Sequence, residues 1–314
     1  HKTEGILDRK KRLLKKYSKI GIVNRGEPAL RFIRGVREFN HKTGSALTAV
    51  SFYLDREKNA PFVQLAHTAV SLSDIDPDAG TTASVYMNKE CMIKALLDTG
   101  CDAVWVGWGF LSEDADFISM LEAHELMFIG PTSRSMSVLG DKIHAKELAE
   151  KSNVPIVPWS RRSITGLSEA KEAAETVGYP CIIKAAHAGG GRGIRFVYTE
   201  EELEAQYNSA LEETKRVTGG EAIFIERLVE RGRHLEVQTL ADMHGTVATF
   251  GVRDCSVQRR NQKIIEETPP PNMDQDECSS IEEAASRLIK AANYTSAGTV
   301  EFLYDMETKQ YYFM

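Results

Sequence analysis

The sequence lacks the marks of a metal cluster, a disulfide framework or a membrane span. Its five cysteines, Cys91, Cys101, Cys181, Cys255 and Cys278, are scattered through 314 residues. None forms a Cys-x-x-Cys pair or has a histidine in zinc spacing, which argues against a zinc site of that kind. A sparse, odd count suits a reducing cytosol, so the expected compartment is cytoplasmic. No stretch approaches the ~18 consecutive apolar residues of a membrane span. Positive charge is not in excess: the formal net charge is −6. That balance argues against a general nucleic-acid binder. The opening His1-Lys2-Thr3-Glu4-Gly5 is not a signal peptide, and there are no internal repeats. What remains is a globular composition, 42% hydrophobic and 27% charged, with chain enough for two or three domains.

Position 1 is not Met, and the last residues, Tyr311-Tyr312-Phe313-Met314, read as a strand. Both ends suggest a piece of a longer protein. Residues 4–17 mix basic residues with Ile6, Leu7, Leu13 and Leu14, the pattern of an amphipathic helix with a solvated basic face. From Ile20 to Gly130, short apolar strands alternate with helices: strands at 20–23, 46–54, 103–106 and 126–129, helices at 29–39, 87–97 and 116–123. This predicts a doubly wound parallel sheet. The turns Asn24–Glu27 and Gly107–Glu113 fall at the carboxyl ends of strands, where such sheets bind ligands.

A helix over 142–151 and a proline-marked connection at 154–158 lead to a small α+β unit, with helices at 168–177 and 200–215 and a strand at 222–226. Beyond 230 the pattern is antiparallel, with strands at 235–240, 246–252, 256–265, 299–304 and 310–313 and a helix at 281–292. The predicted architecture is α/β. A parallel-sheet domain spans 18–140 and a second domain spans 141–314, with a lid over about 160–229 and an antiparallel floor.

The stretch 181–197 stands out. An apolar strand ends in Lys184, and a loop follows with Gly189, Gly190, Gly191, Arg192 and Gly193. Glycines there allow positive φ and bring bare N–H groups to a ligand, while Lys184 and Arg192 supply donors for phosphate. No Gly-Lys-Ser or Gly-Lys-Thr closes it as a P-loop, and strands flank it, unlike a Rossmann fingerprint. Lys142, Glu226, the alternating face His234/Glu236/Gln238, the donor-rich run Asp254–Lys263 and Glu301 are further candidates. Each taken singly has an ordinary structural explanation as a surface lysine, a paired carboxylate or a solvated strand. Glu301, between Val300 and Phe302, is the hardest to explain so, because a buried carboxylate needs a partner, and a metal ion is a natural one.

Taken together these motifs resemble the biotin carboxylase family, the ATP-grasp component of biotin-dependent carboxylases. The matching stretches are Asn24–Glu27, Gly107–Glu113, Phe128–Pro131, Gly140–Lys142, Ile183-Lys184 with Gly189–Gly193, Arg253–Arg260 and Thr299–Phe302, in family order from about residue 18 onward. The resemblance implies that Lys142, Lys184 and the glycine loop hold ATP. It implies that Glu226, Arg227, Leu228 and Val229 frame the adenine, with His234, Asn261 and Leu303 nearby. Glu301 would bind Mg²⁺ (or Mn²⁺). Lys263, with Gln258 and Arg260, would serve bicarbonate. The implied reaction forms carboxyphosphate from bicarbonate and ATP and carboxylates biotin on a carrier domain. A carboxyltransferase component would then pass the carboxyl group to an acyl-CoA, acetyl-CoA, pyruvate or urea acceptor. The family is commonly dimeric or built into larger assemblies, and neither nucleic acid nor membrane is an expected partner.

Some residues depart from the family pattern. Asn261 stands where the family usually has His, Trp108 where it often has Tyr, and His187-Ala188 where it has glycines. The family pattern continues past Met314 with a Glu and an Asn of the metal site and an Arg serving biotin and bicarbonate. The 314 residues alone are therefore expected to bind nucleotide weakly and not to turn over. Two other readings are a carbamoyl-phosphate synthetase-like ligase and a non-catalytic nucleotide-binding scaffold. The Gln258–Lys263 run and the Asn24–Glu27 turn argue against the first, and only Asn261 supports the second.

Overall fold

A computed structural model describes residues 17–78, 83–186, 193–218, 220–260 and 262–314. The expected helix at 4–17 therefore lies outside the described residues, apart from Tyr17, as do Gly189, Gly190, Gly191, Arg192 and Asn261. The chain divides into two compact units, 1–136 and 137–314.

In the first unit, β1 (Lys19–Ile22), β2 (Thr48–Tyr53), β3 (Thr68–Ser71), β4 (Ala103–Trp105) and β5 (Met127–Phe128) form a sheet of order β3-β2-β1-β4-β5. Every pairing is parallel. Both faces are covered, which is why the strands are apolar runs. Helix α1 (Gly26–Thr43) lays Ala29 and Ile33 against Ile22 and Ala49. Helices α2 (Lys89–Asp98) and α3 (Ala115–Ala123) bring Met92, Leu96, Phe117 and Leu121 to Phe52 and Val104. Helix α1 starts earlier and ends later than its apolar stripe predicts. Pro28 suits its first turn, and Gly44 stops it at φ 69°. Strand β3 has only four residues on the sheet edge, too few for a periodic signal.

Strand order reverses between β1 and β4, the place where such sheets usually open a ligand crevice. Here Asn24, buried just past β1, donates to the carbonyls of Val106 (2.7 Å) and Trp108 (2.9 Å). Asn24 thus ties the end of β1 to the turn after β4.

Helix α4 (Ser133–Gly140) runs across the division at 136/137, and α5 (Lys142–Lys151) follows in the second unit. The small unit between residues 160 and 229 is a three-stranded sheet, β7-β6-β8, made from β6 (Cys181–Ala185), β7 (Arg195–Val197) and β8 (Ile223–Arg227). One face, with Cys181, Ile183, Ile223 and Ile225, packs on α6 (Leu167–Val177) and α7 (Glu200–Thr218). The other face carries Lys184, Phe224 and Glu226, because cross-strand partners and alternate residues share a face.

The floor is an antiparallel sheet, β11-β10-β9-β12-β13. Its strands are β9 (Gly232–Ala241), β10 (Val247–Arg259), β11 (Gln262–Glu267), β12 (Ser296–Asp305) and β13 (Tyr311–Phe313). Leu235, Val237, Val300 and Phe302 form its apolar back, under α8 (Gln275–Ala291) and beside Ala145 and Ala149 of α5. The stretch 256–265, expected as one strand, is a hairpin. Strand β10 runs on to Arg259, and Arg260 turns the chain at φ 52°. Helix α8 also begins six residues before the expected 281, at a capping box formed by Asp274 and Glu277.

Glycine 21 leaves room for a neighbouring helix. A Cβ there would sit 2.2 Å from Leu96 Cδ2, whereas at Gly35, inside α1, it would meet nothing within 4 Å. Gly21→Ala is expected to destabilise the chain by about 1–3 kcal/mol through overpacking. Gly35→Ala should stabilise it by up to about 1 kcal/mol through helix propensity. Denaturant unfolding of both variants checks this, and equal effects would contradict it.

Candidate functional site

Two clusters of paired charge lie in the second unit. The first joins α5 to the lid sheet. Lys142 and Lys146, four residues apart, share one face of α5. Lys146 is 3% exposed and Glu226 5% exposed. Lys146 Nζ lies 2.7 Å from Glu226 Oε2, and Lys184 pairs with Oε1 of the same carboxylate. Lys142 Nζ donates to the Ala185 carbonyl at 3.3 Å. Burial alone would raise the Glu226 pKa, but Lys184 and Lys146 more than offset it and hold the group ionised. Burial pushes the Lys142 pKa down, and the neighbouring Lys184 pushes it further the same way. Lys146 and Lys184 thus divide the two oxygens of one carboxylate.

The second cluster lies on the polar face of the floor. In register, His234 faces Leu303 and Glu236 faces Glu301. Lys263 of β11 donates to Glu236 (2.5 Å) and to Glu301 (2.8 Å). Arg253 donates to the other Glu236 oxygen at 2.6 Å. His234 Nε2 lies 3.2 Å from Glu301 Oε1, and His234 Nδ1 lies 2.7 Å from Gln258 Nε2. His234 beside it and the Lys263 ammonium outweigh burial and bring the Glu301 pKa to about 2. Burial would lower the Lys263 pKa, but Glu236 and Glu301 together raise it well above the usual lysine range.

The expected residues separate accordingly. Lys142, Lys184 and Glu226 come together, and so do His234, Gln258, Lys263, Glu301 and Leu303. Arg260 lies at the β10–β11 turn. Gly193, expected to hold phosphate, instead fills a close approach: at φ 69° a Cβ would sit 2.9 Å from Ala185 Cβ. A backbone hydrogen bond ties Gly193 to Glu213. The N–H groups of Arg227 and Leu228 donate to the carbonyls of Pro158 (2.8 Å) and Pro180 (3.1 Å), so those two donors do not face an adenine. The sequence reading named Glu236 on the His234/Glu236/Gln238 face and Arg253 only as the first residue of a motif, and it did not pick out Lys146.

Among the described residues, Glu236, Cys255 and Glu266 bring potential metal ligands within 4.8 Å of one another. They do not suit a divalent ion. Glu236 is already held by Arg253 and Lys263, and burial raises the Cys255 thiol to about 12. Glu301 is the better donor. Its side chain is 41% exposed, and a Mg²⁺ that keeps waters and phosphate oxygens needs only one or two carboxylates. The lowered Glu301 pKa implies stability that is fully present above about pH 4.3 and lost as pH falls through the folded value near 2. Glu301→Gln should flatten the fall of melting temperature across that window. An unchanged slope would contradict the pairing with His234 and Lys263.

The comparisons with known proteins agree with this arrangement. The family model described as "Biotin carboxylase, N-terminal domain" matches residues 16–136. The model described as "Carbamoyl-phosphate synthase L chain, ATP binding domain" matches 141–314. The chain is 42% identical to a biotin carboxylase of Nostoc sp. and 41% identical to biotin carboxylase 1 of Bacillus subtilis. The matches cover 95% and 94% of this chain. It spans 64% and 63% of those relatives. A biotin carboxylase from Campylobacter jejuni, solved as a β-γ-ATP complex, superposes with a TM-score of 0.87 at 36% identity, over 95% of this chain and 64% of that one. The biotin carboxylase domain of the 2-oxoglutarate carboxylase of Hydrogenobacter thermophilus, solved with MgADP, ADP and bicarbonate, superposes with a TM-score of 0.84 at 34% identity, over 95% and 63%. With both domain models matched in order and the parallel and ATP-grasp sheets in place, the chain belongs to the biotin carboxylase family.

Proposed function

We propose that this chain carries the nucleotide and bicarbonate sites of a biotin carboxylase, an ATP-dependent ligase within a biotin-dependent carboxylase. The observation that carries the reading is Lys263, an ammonium fixed between Glu236 and Glu301 on one polar sheet face. A second, separate group of ammoniums stands at α5 and β6. One anion would be gripped at each place. The Hydrogenobacter neighbour, solved with both a nucleotide and bicarbonate, supports two such sites.

At the lid, Lys142 and Lys184 would meet ATP phosphate and the purine side. The loop Gly189–Arg192 would cover the phosphates, and Val229 with the β8 end would frame the adenine. His234, held by Gln258, would contact the ribose beside Leu303. Mg²⁺, once bound, would neutralise polyphosphate charge, and Glu301 would hold it.

Lys263 would hold bicarbonate, with Gln258 and Arg260 as further donors around the anion. A bicarbonate oxygen attacks the γ-phosphorus, the bond to ADP breaks, and carboxyphosphate forms. Carboxyphosphate then splits into CO₂ and phosphate. The released phosphate takes the proton of the ureido nitrogen of carrier-bound biotin, and that nitrogen attacks the CO₂ carbon. The chain's own residues take part in no covalent bond. They supply position and counter-charge, which carry most of the rate in phosphoryl transfer. The carrier and a carboxyltransferase component are the partners this chemistry requires.

Lys184→Ala is expected to raise the dissociation constant for ATP by about tenfold or more, the scale of one charge-assisted contact. Lys263→Ala should leave that constant within about threefold. In the enzyme spanning the relatives' full length, Lys263→Ala should abolish bicarbonate-dependent ATP cleavage. Calorimetric titration and a phosphate-release assay measure the two. Equal loss of ATP affinity in both variants would undo this division.

A further inference from the structure

No step above uses Lys146, yet it is an almost wholly buried ammonium beside the proposed nucleotide grip. Its Nζ lies 2.7 Å from Glu226 Oε2 and 5.9 Å from the ring centroids of both Trp159 and Phe224. The two rings meet edge-on, 6.1 Å apart, and wall the amine in. Desolvating an ammonium this far is costly, and among the described residues its carboxylate partner, the more distant Glu150 and the ring faces compensate.

Lys184 takes the other oxygen of Glu226, so two lysines divide one carboxylate. They differ in access. The Lys184 side chain is 18% exposed and that of Lys146 4%. Lys184 can therefore turn to a ligand, whereas Lys146 is enclosed. A buried carboxylate left with one lysine would hold it with its full charge, in a medium where charges interact strongly. A carboxylate already neutralised by a second lysine holds the first less tightly.

We propose that Lys146 is a positioning residue for nucleotide binding: it holds one oxygen of Glu226 permanently and so frees Lys184 to donate to a nucleotide phosphate. This inference rests on the assignment of Lys184 to the nucleotide. The arriving phosphate gives Lys184 a second anionic partner in place of a carboxylate oxygen that Lys146 also neutralises. Lys146 itself touches no substrate.

The test is ADP binding to the enzyme spanning the relatives' full length and its variants, by calorimetry, with thermal melting as the control for folding. Lys146→Met is expected to weaken ADP binding about tenfold, equivalent to about 1.4 kcal/mol, because Glu226 then keeps Lys184. Lys146→Met combined with Glu226→Gln should bind ADP within about threefold of Glu226→Gln alone, because glutamine no longer captures the ammonium. Lys146→Arg should bind as wild type. A purely structural lysine would lower the melting temperature and cost the same affinity in both backgrounds. Wild-type affinity in folded Lys146→Met, or a double variant about tenfold weaker than Glu226→Gln alone, overturns the proposal. Should Lys146→Met not fold, the comparison of the double variant with Glu226→Gln decides alone by the same threefold criterion. Lys184→Met separates the two claims. Unchanged ADP affinity in it defeats the assignment of Lys184, whereas loss there without loss in Lys146→Met defeats only the role of Lys146.

Discussion

A carboxylate taken wholly out of water must be paired, and Glu226 is the point where that requirement shapes the ATP-grasp half. Its two oxygens are met from different elements, Lys184 from the neighbouring lid strand and Lys146 from α5. Breaking such a pair from one side costs about 3–5 kcal/mol, because a charge is left without a partner. The pairing therefore fixes α5 against the lid sheet as firmly as apolar packing would. It also places Lys142, one turn before Lys146, where its amine reaches the end of β6. Helix α5 works on two sides, since Ala145 and Ala149 belong to the apolar back of the floor.

The floor repeats the device in a more open setting. Glu236 holds Arg253 and Lys263, and Glu301 shares Lys263 and faces His234. Here Lys263 lies across two carboxylates and is kept firmly protonated. In the lid cluster two lysines divide one carboxylate, while in the floor one lysine lies across two acids. That contrast suits the two anions the proposed chemistry brings together.

Much of this was legible in the sequence where a period was clean. Alternating strands and helices gave the parallel sheet, and the period-two face at His234–Gln238 gave the polar side of the floor. The hairpin at Arg260 was not legible, because the run Ser256–Ile265 has no glycine, proline or Asn-Gly turn to mark it. The turn is made by a non-glycine residue at positive φ, which the sheet imposes. Six residues of α8 were missed although Asp274 and Glu277 spell its cap, since the apolar stripe begins only at Ile281. Lys146 was hidden for another reason. A lysine in a helix is usually solvated, and its burial becomes visible only when Glu226, Trp159 and Phe224 are brought to it from elsewhere in the chain.

The central claim is that carboxylates hold two separate lysine grips, one for nucleotide and one for bicarbonate. Nitrogen-15 NMR of the lysine ammonium groups tests it most directly, because each buried, hydrogen-bonded Nζ gives its own signal. Addition of ADP without metal should shift the signals of Lys184 and Lys142 and leave that of Lys263 in place, and bicarbonate should do the reverse. A shift of Lys263 on adding ADP, with Lys184 unmoved, would contradict the account.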